Sequence, residues 1–275
     1  MLVSFKEVLD IAKEKNFALP AFNVYNMETT MGIVAAAEEA KAPIIVQSYS
    51  RLFTNEEGYY VSPIVLAAAK KASVPICFHL DHGAGINEVS RALRWGATGI
   101  MIDKSALDLE ANIAETKNVV EFCKAVDVQV EGELGHVGSV NDAEMCEYTK
   151  VDEAKRFVDE TGVDALAIMV GTAHGRYKQA PVLDIQRIKD IYEATGAALV
   201  LHGGSGVPDD QLTAAIEAGI RKINFGTDVC YAFLDQVFET SREFVGIDMF
   251  MKDAVKNVKK FALEKIKLLG AEGKA

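Results

Sequence analysis

Cysteine is scarce and scattered in this chain. Its four residues, Cys77, Cys123, Cys146 and Cys230, include no CxxC pair, so they read as reduced thiols of a cytoplasmic protein, not as a disulfide framework or a zinc knuckle. Positive charge is in deficit as well, with 29 Lys and Arg against 40 Asp and Glu. A net charge of -11 argues against nucleic acid as a partner, because binding a phosphate backbone needs a concentrated cationic face. An anionic substrate therefore has to be held by a local cluster of donors. No apolar run approaches the roughly 18 residues needed to span a bilayer, and the amphipathic opening MLVSFKEVLD lacks the apolar stretch of a signal peptide. Also missing is any linker rich in Pro, Gly or Ser, or any charge block, so residues 1–275 read as one domain with no membrane partner.

What the chain does have is a 49% hydrophobic composition laid out in short apolar runs. Eight of them read as strands: 18–24, 42–48, 74–81, 98–103, 127–134, 164–170, 197–203 and 222–227. Between them lie segments with helical spacing, such as METTMGIVAAAEEAK and DIQRIKDIYEATG, that often close on Gly. Near-continuous apolar strands alternating with helices imply a parallel sheet covered by helices, and eight such units close most naturally as an α/β fold of the (β/α)8 TIM-barrel type. A doubly wound open sheet is the alternative.

A barrel places its chemistry where strands end, and the polar residues follow that polarity. The first strand ends in Asn23, the third in Asp81 and His82, the fourth in Asp103, and the fifth in Glu131 and Glu133. The sixth runs into GTAHG with His174, the seventh ends at His202 and GGSG, and the eighth carries Asn224, Thr227 and Asp228. His82, His174 and His202 would thus meet at one mouth, and three imidazoles with an open position form a catalytic zinc arrangement. His79, inside the third strand, reads as a packing or supporting residue, and His136 as a solvated loop residue. The glycine-rich runs VGTAHGRYK (170–178) and LHGGSGVPDD (201–210) leave backbone N–H groups free to turn toward a phosphate, the second just ahead of a helix expected to start near Pro208.

HLDHG, EGELG, GTAHG, LHGGSG and KINFGTD, in this order and over nearly the whole chain, resemble the class II zinc-dependent ketose-bisphosphate aldolases, including the fructose- and tagatose-bisphosphate enzymes. The resemblance implies a lyase of carbohydrate metabolism that cleaves a ketose 1-phosphate to dihydroxyacetone phosphate and a three-carbon aldehyde. It implies that Asp81 handles the C4 hydroxyl proton and that His82, His174 and His202 bind Zn2+. Glu133 would help hold a displaced or resting metal. Gly175, Lys178, Gly203, Ser205, Gly226 and Thr227 would form the phosphate site, with Asn23 and Asn224 on the substrate. Family members also bind a monovalent cation, Na+ or K+, and assemble as homodimers or homotetramers.

The chain departs from that pattern in two places. After EGELG, the family's Glu-Asp pair is replaced by GSVND, which puts Asn141 where a glutamate protonates C3; either Asp142 or Glu144 takes that role from a shifted loop, Glu144 being the candidate carried forward, or the step is done differently. The family's Arg-bearing DPR segment near the C-terminus is absent, whereas Arg51 follows the second strand and Lys104 the fourth. These two cations are expected to read an anionic distal group that need not be phosphate, such as sulfonate or carboxylate. The alternatives are a metal- and phosphate-binding barrel with weak or lost catalysis, a phosphosugar isomerase, and a Schiff-base aldolase, for which Lys222 is the only interior lysine candidate.

Overall fold

A computed structural model of the chain describes residues 1–140, 147–243 and 246–275. Its eight strands are β1 (Leu19–Asn23), β2 (Ile44–Tyr49), β3 (Ile76–Gly83), β4 (Gly99–Ile102), β5 (Gln129–Leu134), β6 (Ala165–Ile168), β7 (Ala198–Leu201) and β8 (Ile220–Phe225). They pair in parallel and in chain order, and β1 closes on β8, so the sheet is a closed (β/α)8 barrel. The open doubly wound sheet is thereby excluded.

The outer faces of the strands hold the fold together. Phe22 of β1 and Phe225 of β8 stack with ring centroids 5.8 Å apart, and Phe261 of the helix Lys252–Leu268 meets both edge-on at 6.2 and 6.1 Å. All these strand positions are fully buried, and each such side chain contributes about 1.5–3 kcal/mol of burial. The first helix, Phe5–Lys15, starts on a reciprocal cap between Ser4 and Glu7 and lays Phe5 against His79, over the beginnings of β3 and β4. That end of the barrel is structural.

The inner faces are different. Gln47, His79, Glu131, Glu133, His202, Lys222 and Asn224 are all buried, and they come from strands that otherwise read as apolar. On β5 and β8 they sit two residues apart, Glu131 with Glu133 and Lys222 with Asn224, which is the period that keeps side chains on one face of a strand. Among the described residues, no helix is long and apolar enough to cross a membrane.

Candidate active site

At the mouth formed by the strand C-termini lies a cavity of about 440 Å3 whose wall includes Asn23, Arg51, Asp81, His82, His174 and Asn224. The placement of Asp81 and His82 depends on an irregularity. Neighbouring residues of a regular strand point to opposite faces, yet both of these reach the cavity. The register between β3 and β4 shifts between Leu80 and Gly83, and His82 takes a left-handed backbone at φ +51°. Such a bulge re-aims a side chain at a functional site, and a non-glycine residue adopts that conformation only where its surroundings hold it there.

Three imidazoles converge. The ring of His82 lies 4.9 Å from that of His174 and 4.6 Å from that of His202, and the nitrogens that would bind a metal all lie within 4.8 Å of one another. His82 Nε2 and His202 Nδ1 are 2.9 Å apart, and the buried His174 Nε2 has no hydrogen-bond partner among the described residues. Two ring nitrogens in contact beside an orphaned third form a donor set suited to a divalent cation that favours nitrogen. Among the described residues, His82, Asp103 and Glu133 form a second group with metal-ligand spacing.

The surrounding groups set the protonation of these rings. Burial pushes His202 well below the usual histidine range and His174 down to about 4, with the charge of His82 adding to both. Burial also opposes charge on His82, but Asp81, Asp103 and Glu133 outweigh it and raise that ring to about 10. Burial, with Asp103 nearby, lifts Glu133 to about 8. For Asp103, burial is overcome by its hydrogen bond and ion pair with His82, at 2.9 Å, which hold it well below the usual carboxylate range.

Asp81 is fixed from two sides. The Asn23 amide donates to Oδ2 at 2.8 Å and the Asn224 amide to Oδ1 at 3.1 Å, while Gln47 donates to Asn23 Oδ1 at 2.9 Å. On the other side of the mouth, Gly175, Gly203, Ser205, Gly226 and Thr227 line the cavity beside the start of the helix Thr227–Glu239. Gly203 is at φ +65°, and a Cβ there would fall 2.4 Å from the Ala173 carbonyl oxygen, so only glycine fits. Arg51 is the only Lys or Arg among the described residues lining the cavity, and its guanidinium lies over the rings of Tyr25 and Tyr49 at 5.6 and 5.1 Å.

Not every expected residue arrives. Lys104 and Lys178 do not line the cavity, and Lys178 is exposed on its loop. Asn141 and Glu144 lie outside the described residues. His136 is exposed as expected, but it also lines the mouth, with Nδ1 3.0 Å from Ser105 Oγ. Ser105, which the sequence did not single out, ties the second carboxylate pair together. It donates 2.7 Å to Asp103 and lies 3.0 Å from Glu133 Oε1. Asp103 and Glu131 were visible only as polar strand ends, and their partners could not be read from spacing.

A closed parallel barrel with its titratable groups at the C-terminal mouth has the arrangement in which barrel enzymes place their active sites. More narrowly, the chain belongs to the class II fructose-bisphosphate aldolase family, whose profile matches residues 3–274. It is 39% identical over 280 residues to the uncharacterized protein YdjI of Escherichia coli (strain K12), covering 100% of both chains. The crystal structure of the YdjI aldolase superposes with a TM-score of 0.91 at 37% identity over 100% of both chains. A structure from Coccidioides immitis, provisionally assigned as a fructose-1,6-bisphosphate aldolase, gives a TM-score of 0.88 at 27% identity, covering 98% of this chain and 97% of that one. The fructose-bisphosphate aldolase of Campylobacter jejuni, with a TM-score of 0.81 at 21% identity over 100% of this chain and 97% of that one, shares the fold.

Proposed function

We propose that the protein is a zinc-dependent aldolase that cleaves a ketose 1-phosphate to dihydroxyacetone phosphate and a three-carbon aldehyde bearing an anionic distal group. The observation that carries this reading is the convergence of His82, His174 and His202 on one point, with an Asp81 oxygen 3.9 Å from His82 Nε2. The three histidines would hold the metal, and Glu133, 3.5 Å from His202 Nδ1, would serve a displaced position. Zinc held there supplies Lewis acidity for the charge that develops at the ketone oxygen as the carbon–carbon bond breaks.

Asp81 takes the C4 hydroxyl proton as the C3–C4 bond breaks, a general-base step in which the electron pair stays with the ketone fragment. Its carboxylate is aimed by the Asn23 and Asn224 amides, so little reorientation is needed at the moment of transfer. Gly175, Gly203, Ser205, Gly226 and Thr227 receive the phosphate, aided by the positive end of the helix Thr227–Glu239. Arg51, stacked on two tyrosines and free of any ion pair among the described residues, offers its fork to the distal anion. Glu144 remains the proposed donor of the C3 proton. The whole chain, residues 1–275, acts as one unit, in a cytoplasmic homodimer or homotetramer.

The test is a panel of ketose 1-phosphates ending in phosphate, sulfonate or carboxylate, read by release of dihydroxyacetone phosphate with and without a chelator. Cleavage that the chelator stops and zinc restores is expected, with Arg51→Ala lowering kcat/KM by about 10-fold or more on the preferred anion. Isomerised ketose with no carbon–carbon cleavage would replace the aldolase reading with an isomerase one. Clear preference for the bisphosphate, undiminished in Arg51→Ala, would remove the role of Arg51.

A further inference from the structure

Lys222 is fully buried inside the barrel, does not line the cavity, and has no task in the chemistry above. Its amine is also unsuited to attack a carbonyl, because Nζ is held 2.8 Å from Glu131 Oε2 in an ion pair and donates to Asn224 Oδ1 at 2.8 Å. Those two contacts reach opposite halves of the site. The other oxygen of Glu131 lies 2.9 Å from His202 Nε2, and the other end of Asn224 donates to Asp81. We propose that Lys222 is a positioning residue that couples the two halves: through Glu131 it fixes the ring of His202, and through Asn224 it fixes the carboxylate of Asp81. The proposal rests on the zinc-aldolase reading and deepens it.

The coupling follows from what each group can do. An ammonium only donates, so Asn224 has to turn its oxygen toward Lys222 and its NH2 toward Asp81. A carboxylate only accepts, so Glu131 requires the proton of His202 to sit on Nε2. That leaves the lone pair of His202 Nδ1 facing His82 and the centre of the three rings. Lysine thus selects the amide orientation on one arm and, through glutamate, the imidazole tautomer on the other. A buried ion pair adds little stability over apolar residues of similar volume, and barrel interiors are ordinarily filled by branched apolar side chains. Packing is therefore a poor account of a lysine at this position, whereas orientation accounts for both contacts.

The two arms can be separated with the full-length zinc enzyme. In Glu131→Gln, Lys222 draws the new amide oxygen to itself, so the NH2 faces His202 Nε2 and opposes the required tautomer. Zinc affinity, measured by chelator competition, is expected to fall about 10- to 100-fold. In the double variant Lys222→Met with Glu131→Gln, that oxygen is free to accept from His202 again, and affinity is expected to recover to within about threefold of wild type. The same double variant has lost the Asn224 arm. At saturating zinc its kcat is expected to stay roughly 10- to 100-fold low, with the acid limb of the pH profile displaced and KM little changed. An affinity in Glu131→Gln within twofold of wild type, no recovery in the double variant, or a wild-type kcat in the double variant would each overturn the coupling. If Glu131→Gln does not fold, the charge-balanced double variant still reads both arms. The wild-type enzyme offers a check that needs no variant: 15N-histidine NMR of the zinc form is expected to place the His202 proton on Nε2, and a proton on Nδ1 would overturn the proposal. Wild-type protein that took up no zinc would instead remove the aldolase reading on which the proposal stands.

Discussion

On β8, Phe225 faces outward and Lys222 and Asn224 face inward, and the two sides of this one strand are held by different forces. Outside, Phe225 is closed in by Phe22 and Phe261, contacts that are individually weak, non-directional and cumulative. Inside, a chain of hydrogen bonds and one ion pair runs from Gln47 through Asn23, Asp81, Asn224, Lys222 and Glu131 to His202, the ion pair being the link from Lys222 to Glu131. The outer face tolerates exchange of one apolar residue for another of similar volume, whereas in the inner chain each donor fixes the orientation of the next group. Stability should therefore reside mainly outside and activity mainly inside, and substitutions on the two sides should separate the two properties.

The largest effect is expected at Asp81. Asp81→Asn keeps the shape and the cavity but cannot take a proton, so kcat is expected to fall about 10²- to 10⁴-fold while zinc content stays at the wild-type level. Steady-state kinetics with metal analysis on the same preparation checks both numbers. A kcat within tenfold of wild type would show that another group is the base.

Next comes the outer face. Phe225→Ala leaves a cavity between two strands and a helix and is expected to cost about 3–5 kcal/mol by denaturant unfolding. Zinc affinity and KM of the folded fraction should change little, even though Asn224 is the adjacent residue. A variant that lost metal before it lost stability would show that the outer packing also sets the inner geometry.

That division also governs how far the sequence could be read. The eight strands were legible because they form short, near-continuous apolar runs between segments of helical spacing, and their observed bounds fall within a few residues of the runs. The eighth shows why the ends slip. It begins at Ile220, directly after Gly219 at φ +129°, and stops at Phe225 because Gly226 already caps the next helix. The three histidines were legible as a cluster because barrel topology brings strand ends together. The pairings were not legible. Strict alternation puts Asp81 and His82 on opposite faces, and only the bulge with its left-handed His82 brings both to the mouth. Asp103 to His82 spans 21 residues and Glu131 to His202 spans 71, separations at which spacing carries no signal about contact. Lys104 and Lys178 do not line the cavity, because position after a strand fixes where the backbone is and not where a long side chain points.

The smallest effect is expected at Gln47, and there the two properties should separate most cleanly. Its Nε2 donates to Asn23, but its Oε1 is buried with no partner among the described residues. A buried acceptor left without a partner costs about 1–3 kcal/mol, so Gln47 holds Asn23 in place at the expense of stability. Gln47→Met has similar length and no polar group. It removes the orphaned Oε1 but takes the donor from Asn23 Oδ1, so one unsatisfied oxygen replaces another and the unfolding free energy is expected to stay within about 1 kcal/mol. Activity has no such compensation, because an unanchored Asn23 amide is free to rotate away from Asp81. A kcat lowered about 3- to 10-fold at unchanged stability is the expected outcome. Equal losses in both would mean that the inner chain contributes to the fold as the outer face does.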